Sequence, residues 1–130
     1  MHRIRLTSLI WMTVTLCQAQ KSGALLQLER NVIDFGAIEN NSEATDSLKF
    51  YNTGTDSLII YSAFADCGCT VPSYSRAPIA PGDSGIITVR FISRGRAAGT
   101  FRKVVRIRTN AITPNKVLFV TGRIKRPYRK

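Results

Sequence analysis

Residues 65–72 have the sequence Ala-Asp-Cys-Gly-Cys-Thr-Val-Pro and hold two cysteines separated by a single glycine. On both sides of this stretch the apolar residues come in short runs of about four to eight, rich in Val, Ile, Phe and Tyr. Gly, Asn, Pro and Ser separate these runs, and no long run of helical period follows residue 20. Such runs are typical of β-strands. We therefore predict a β-sheet protein in which residues 65–72 form a loop between strands.

Several runs alternate between apolar and polar residues, as a strand with one buried face does. In residues 86–92 we expect Ile87, Val89 and Phe91 to point inward. Residues 58–64 are apolar on both parities, which predicts a central strand covered on both faces.

Glycine residues predict where some strands end or bend. Residues 32–36 are expected to form a short strand closed by Gly36, and Gly122 is expected to place a bulge in a last strand over residues 116–125. Residues 20–30 form either an edge strand or a loose arm. About seven strands in roughly 100 residues predict an immunoglobulin-like (Ig-like) antiparallel β-sandwich over residues 31–125, with a small barrel as the alternative.

The order of short motifs along the chain resembles one known family. The motifs are Asp34-Phe35-Gly36, Phe50-Tyr51-Asn52-Thr53-Gly54, Cys67-Gly68-Cys69-Thr70, Pro81-Gly82, Gly99-Thr100-Phe101 and Thr121-Gly122. Together they resemble a bacterial exported family of unknown function with one Ig-like domain and a Cys-Gly-Cys-Thr motif. That family is similar in turn to Hydin-type and major-sperm-protein-type sandwiches. The resemblance implies an Ig-like fold outside the cytoplasm and, by analogy with the protein-binding and scaffold domains among its relatives, a binding role.

The first 19 residues are predicted to be a cleaved signal peptide. They have a basic start at residues 2–5, an uncharged apolar core at residues 6–16, and a small residue at position 19. The apolar core is too short to cross a bilayer of about 30 Å as a helix, so no transmembrane span is expected in the mature chain. An uncleaved anchor and a lipoprotein acylated at Cys17 are the alternatives, although Leu16 is unusual before an acylated cysteine. We expect an exported protein that is periplasmic, outer-membrane associated or secreted.

Export would place Cys67 and Cys69 in an oxidising compartment. Cysteines two residues apart lie near the Cα separation that a disulfide needs, and Gly68 allows the required backbone geometry. Three interpretations stay open: a structural clip, a redox-active pair, and a Cu(I) site formed by two thiolates. A zinc site within the chain is disfavoured, because residues 20–130 contain no histidine and no third cysteine.

Residues 20–130 hold no recognisable catalytic constellation. Without histidine, neither a Ser-His-Asp nor a Cys-His arrangement can form there. The five aspartates of this region all lie at predicted turns or strand ends, where their side chains commonly bond to local backbone. We therefore predict a protein that is not an enzyme and requires no cofactor or metal.

The formal net charge of +11 is distributed unevenly. Residues 20–83 hold all eight acids and four bases, whereas the chain from residue 84 holds thirteen bases and no acid, including a basic tail at residues 126–130. This pattern indicates either a solvated surface or a site for an anionic partner. The residues that could form one basic patch are Arg90, Arg102, Arg106, Arg108, Arg123 and Lys125.

The partners considered for this patch are lipopolysaccharide phosphates, anionic phospholipid headgroups, acidic polysaccharide and an acidic protein face. Nucleic acid is disfavoured, because exposed aromatic residues for base stacking are not evident and because export separates the protein from it. The leading hypothesis is an exported, non-enzymatic Ig-like binding or scaffold domain at the cell envelope. The alternative is a thiol-redox or copper-handling protein that uses Cys67 and Cys69.

Overall fold

Two four-stranded β-sheets pack face to face in the computed structural model, which describes residues 22–128. This architecture confirms the predicted Ig-like sandwich. The eight strands are β1 (Leu26–Leu28), β2 (Val32–Ile38), β3 (Glu43–Asn52), β4 (Ile60–Ala65), β5 (Thr70–Tyr74), β6 (Ser84–Ile92), β7 (Gly99–Thr109) and β8 (Asn115–Ile124). The predicted signal peptide lies outside the described residues.

The strands are shared between a sheet A, in the order β1-β3-β6-β5, and a sheet B, in the order β2-β8-β7-β4. All neighbouring strands run antiparallel except β2 and β8, which run parallel. The short β1 lies at the edge of sheet A, within the segment 20–30 for which an edge strand and a loose arm were both considered.

The core between the sheets is built from the inward parity of each strand. Ile87, Val89 and Phe91 are at most 1% exposed, which confirms the alternation predicted for residues 86–92. Strands β7 and β8 supply the facing layer, in which the side chains of Val105, Ile107, Leu118 and Val120 are also at most 1% exposed. Burial of this apolar area is the main favourable term for folding.

A smaller apolar group closes one end of the sandwich. This end cluster consists of Ile38, Cys69, Phe91 and Ile124, each less than 10% exposed. The ring of Phe91 stacks on that of Phe101 with a centroid separation of 4.0 Å. The loop after β4 is therefore anchored to the core through one of its two cysteines.

Residues 58–64 lie at an edge of the fold, so the prediction of a central strand covered on both faces was wrong. Strand β4 is the last strand of sheet B and pairs with β7 alone among the described strands. The side chains of Tyr61 and Phe64 are 53% and 51% exposed, while Leu58 and Ile60 are buried. Composition identified the strand, but an apolar residue does not specify which side of it is covered.

Gly36 lies inside β2 instead of closing it, because the strand continues to Ile38. Its φ of 65° belongs to the left-handed region, and the register with β8 shifts between Asp34 and Ala37. The Asp34 Oδ1 accepts a hydrogen bond from the Gly36 N–H at 2.9 Å. One bulge of sheet B is therefore on β2, where glycine adopts the positive φ without a steric penalty.

Gly122 pairs in register with Phe101, so the bulge predicted at this glycine is absent from the β7–β8 ladder. A Cβ at Gly122 would lie 2.6 Å from Cζ of Phe101. The glycine is therefore needed for the close approach of the aromatic ring, which in turn stacks on Phe91.

Candidate functional site

Arginine side chains dominate the solvent-facing side of sheet B. Arg102, Arg106 and Arg108 share the outward parity of β7, and all three are exposed. Arg123 of β8 is exposed on the same side, opposite Thr100 in the ladder. These four arginines are called the basic face below.

The other two predicted patch residues differ from this group, because each forms an ion pair with an acid. Arg90 lies on β6 in sheet A, opposite Thr45 of β3, and its guanidinium is 3.5 Å from the Glu43 carboxylate. Lys125 follows β8, and its Nζ is 2.7 Å from Oε1 of Glu39. A single patch that includes Arg90 would need β6 to lie next to β7, but the neighbours of β7 are β8 and β4.

The charge of the basic face is not neutralised by nearby acids. The ion pairs found within residues 22–128 involve Arg30, Arg90 and Lys125, and none includes an arginine of the basic face. Like charges on one surface without paired acids raise the local positive potential and attract anions.

Aromatic side chains lie among these arginines. Cζ of Arg102 is 4.3 Å from the centroid of the Phe119 ring, and Cζ of Arg108 is 5.7 Å from that of Tyr61. The exposed Phe64 lies opposite Arg106 in the β4–β7 ladder. This arrangement was not expected from the sequence, because residues 58–64 were predicted to form a covered strand. Exposed aromatic residues that could stack on bases are therefore present beside the arginines. Export, which also disfavours nucleic acid, stays a prediction.

The two cysteines of the loop form a disulfide, with Sγ atoms 2.05 Å apart and Cα atoms 5.2 Å apart. Cys69 is buried in the end cluster, and its carbonyl accepts a hydrogen bond from the Ile92 N–H at 2.8 Å. Cys67 is half-buried, and its carbonyl accepts from the Thr70 N–H at 3.1 Å. Since β4 belongs to sheet B and β5 to sheet A, the disulfide lies in the crossover between the sheets.

The described chain, residues 22–128, contains no group of three or more His, Cys, Asp or Glu side chains placed to hold a metal ion. It also contains no helix that is long and apolar enough to cross a membrane.

A hollow of about 540 Å³ lies between the disulfide loop and the basic face. Asp66, Cys67 and Gly68 form one wall of this loop groove. The rest is lined by Val104 and by four cationic residues, namely Arg96, Arg102, Lys103 and Arg106. Arg96 and Lys103 were not among the residues predicted from the sequence.

The groove exists because β4 is shorter than β7. The ladder between them ends where Ala65 faces Val105, whereas β7 begins at Gly99. Beyond Ala65 the chain leaves sheet B and crosses to sheet A, so residues 99–104 have β8 on one side and no described strand on the other. This gap depends on the register of the ladder, which no local sequence signal reveals.

The two-sheet sandwich places this protein in the class of Ig-like β-domains. Its sequence matches, over residues 26–124, the family described as protein of unknown function (DUF1573), and the chain belongs to that family. The match confirms the predicted resemblance to a family of unknown function. The Cys-Gly-Cys-Thr motif as a family signature and the Hydin-type relationship stay predictions. No curated protein matches the sequence.

Solved structures with the same fold come from bacteria and from human. A protein of unknown function from Porphyromonas gingivalis W83 aligns with a TM-score of 0.67 and 15% identity, over 77% of this chain and 46% of that one, so this chain spans less than half of its length. The PapD-like domain 7 of human CEP192 aligns with a TM-score of 0.60 and 10% identity, over 79% of this chain and 87% of that one. The secreted serine protease VesC from Vibrio cholerae aligns with a TM-score of 0.54 and 15% identity, over 80% of this chain and 23% of that one. At these identities the similarity establishes the fold alone.

Proposed function

We propose that this protein is an exported, non-enzymatic binding domain of the cell envelope whose basic face holds an anionic partner. The observation that carries the proposal is the set of four exposed arginines on one side of sheet B, none of them paired with an acid of residues 22–128. The partner is an anionic envelope component, such as a phosphorylated lipid headgroup, or an acidic protein face. The Cys67–Cys69 disulfide supports the export part of the proposal, since such bonds persist mainly outside the cytoplasm.

Besides its charge, the packing of side chains on the basic face supports binding. The guanidinium of Arg102 rests on the Phe119 ring and that of Arg108 lies near the Tyr61 ring. Stacking limits the conformations of these long side chains before a ligand arrives, which lowers the entropy lost on binding. The exposed Phe64 adds apolar surface next to the charges, as amphipathic partners require.

The test is retention on vesicles of phosphatidylcholine and phosphatidylglycerol, compared with vesicles of phosphatidylcholine alone. Retention on the anionic vesicles is expected to fall steeply between about 0.05 M and about 0.5 M salt, because screening shortens the range of surface charges. Replacing Arg102, Arg106 and Arg108 by serine should reduce retention at low salt by about tenfold or more, since each surface cation contributes about 1 kcal/mol.

The matched control replaces Arg30, Lys49 and Arg90 by serine. It removes the same formal charge from the side of sheet A, where Arg30 bonds to Asp46 and Arg90 to Glu43. Equal losses in the two triple variants would show that net charge alone causes retention, and would remove the basic face as the site. Stronger retention by a single-stranded oligonucleotide than by the vesicles would favour nucleic acid as the partner class instead.

A thiol-redox or copper-handling role is the second candidate, and the observation in its favour is the half-buried position of Cys67 beside the loop groove. Equilibration in a glutathione buffer at about −200 mV, followed by alkylation and intact mass measurement, tests the redox form. Alkylation of both cysteines would support exchange with cellular thiols, and complete protection would exclude it. Addition of Cu(I) to reduced protein tests the copper form, which an unchanged mass would exclude.

A further inference from the structure

The loop groove combines a surplus of positive charge with the size of a small-ligand site. Its lining holds four cations against the single carboxylate of Asp66, and none of the four forms an ion pair within residues 22–128. The volume of about 540 Å³ falls in the range of small-molecule sites, roughly 300 to 1,000 Å³. A sheet face that was only solvated would not require a concave arrangement of these charges.

Three of the four cations reach the groove from β7, and the fourth reaches it from the β6–β7 loop. Arg102 and Arg106 project from the outward parity of β7, while the half-buried Lys103 has the opposite parity. Lys103 lines the groove because β4 has already left the side of β7 at this level. Arg96 approaches from the β6–β7 loop, where its N–H donates to the Ser93 carbonyl at 3.0 Å. The open edge of β7 offers backbone N–H groups beside these side chains.

Two contacts hold the walls in place before a ligand binds. The Phe119 ring lies 4.3 Å beneath the guanidinium of Arg102 on one side. On the other side, the disulfide ties Cys67, which lines the groove, to Cys69, which is buried in the end cluster. A preformed site of this kind loses less conformational entropy on binding than one made from free side chains.

We propose that the loop groove binds a phosphate group with two or more negative charges, as in a phosphomonoester or a diphosphate. Guanidinium groups match phosphate oxygens with paired hydrogen bonds, and the ammonium of Lys103 adds a point charge. The formal surplus of three positive charges favours a multiply charged phosphate over a single carboxylate. The inference rests on the proposed function only for the choice of an anionic partner, and it names the group that this partner presents.

Titration of the oxidised, ¹⁵N-labelled full chain with sodium pyrophosphate at constant ionic strength tests the site. Saturable shifts are expected for the amides of the loop wall and of residues 96 and 102–106. Replacing Arg96 and Lys103 by glutamine should weaken pyrophosphate binding by about tenfold or more, since bonds to charged groups contribute about 1.5 to 3 kcal/mol each. The control replaces Lys49 and Arg90, which are exposed cations of sheet A, and should change the affinity by less than about threefold, the effect of a distant and screened charge.

Equal weakening in the two double variants, or shifts spread evenly over sheet B, would overturn the proposed groove. If pyrophosphate leaves the groove amides unmoved while anionic vesicles still retain the protein through Arg102, Arg106 and Arg108, the groove inference fails and the proposed function stands. If R96Q/K103Q loses pyrophosphate binding and keeps vesicle retention, the groove is a phosphate site separate from the surface that retains the protein on vesicles. Competition by vesicles that contain phosphatidic acid would identify a lipid headgroup as the source of the phosphate, and its absence would identify a soluble phosphate compound.

Discussion

At the residue scale, Asn52 shows how one buried polar side chain joins distant parts of the sandwich. Its Nδ2 donates to the carbonyls of Asp56 and Ile79 at 2.6 and 2.9 Å. Its Oδ1 accepts from the N–H groups of Gly54 and Leu25 at 3.0 and 3.3 Å. The side chain is fully buried, so water cannot replace these bonds if they are lost.

We predict that Asn52→Ala lowers the free energy of unfolding by about 3 kcal/mol, because it removes four hydrogen bonds that a fully buried side chain makes to the backbone. The control is Asn110→Ala. The side-chain amide of Asn110 accepts a hydrogen bond from the Ile59 N–H and donates one to the Ser57 carbonyl, but it is exposed to water. The control should cost less than about 1 kcal/mol by the same urea denaturation measurement. Similar losses in both variants would contradict a special role for the burial of Asn52.

Also at the residue scale, the two cysteines differ in their surroundings although they share one bond. Both Cys67→Ser and Cys69→Ser remove the disulfide, whose loop is too short for a large entropic contribution. Cys69→Ser additionally places a hydroxyl in the end cluster, where Cys69 is 3% exposed. We expect Cys69→Ser to be less stable than Cys67→Ser by about 1 to 2 kcal/mol in urea denaturation, since an apolar site does not solvate a hydroxyl. Equal stability would show that only the bond matters.

At the element scale, the edge position of β4 leads to a prediction that a central strand would not allow. Phe64 is 51% exposed on β4, whereas Phe91 is 1% exposed on β6. Phe64→Ser should therefore change the free energy of unfolding by less than about 1 kcal/mol, and Phe91→Ser should lower it by about 4 kcal/mol. Thermal and urea unfolding of the two variants would measure the difference. A large loss for Phe64→Ser would mean that this side of β4 is covered.

The alternation of residues within single strands shows how much of the fold can be predicted from the sequence. The alternation in residues 86–92 correctly identified the inward side chains of β6, because the two faces of a strand repeat every second residue. The same period of two places Arg102, Arg106 and Arg108 together on the exposed side of β7. It failed for residues 58–64, because a strand with aromatic residues on its exposed side has the composition of a buried one.

At the scale of the whole molecule, the order of strands in the sheets determines which parts of the fold open first. Strand β8 lies between β2 and β7, while β1 and β5 have one partner each and are short. We expect the amides of β8 to exchange with solvent most slowly and those of β1 and β5 most rapidly, because edge strands open locally without global unfolding. Hydrogen exchange followed by NMR measures this order. Protection of β1 equal to that of β8 would contradict it.

The sequence by itself determined the all-β class of the fold, the inward residues of β6 and the two cysteines that can pair, because each depends on residues close together in the chain. Tertiary structure alone decided the parallel pairing of β2 with β8, the edge position of β4 and the sheet that holds Arg90. It also created the loop groove, which exists only because the β4–β7 ladder stops at Ala65. Strand order and register arise from pairing between residues far apart in the chain, and a period of two along each strand is compatible with many such pairings.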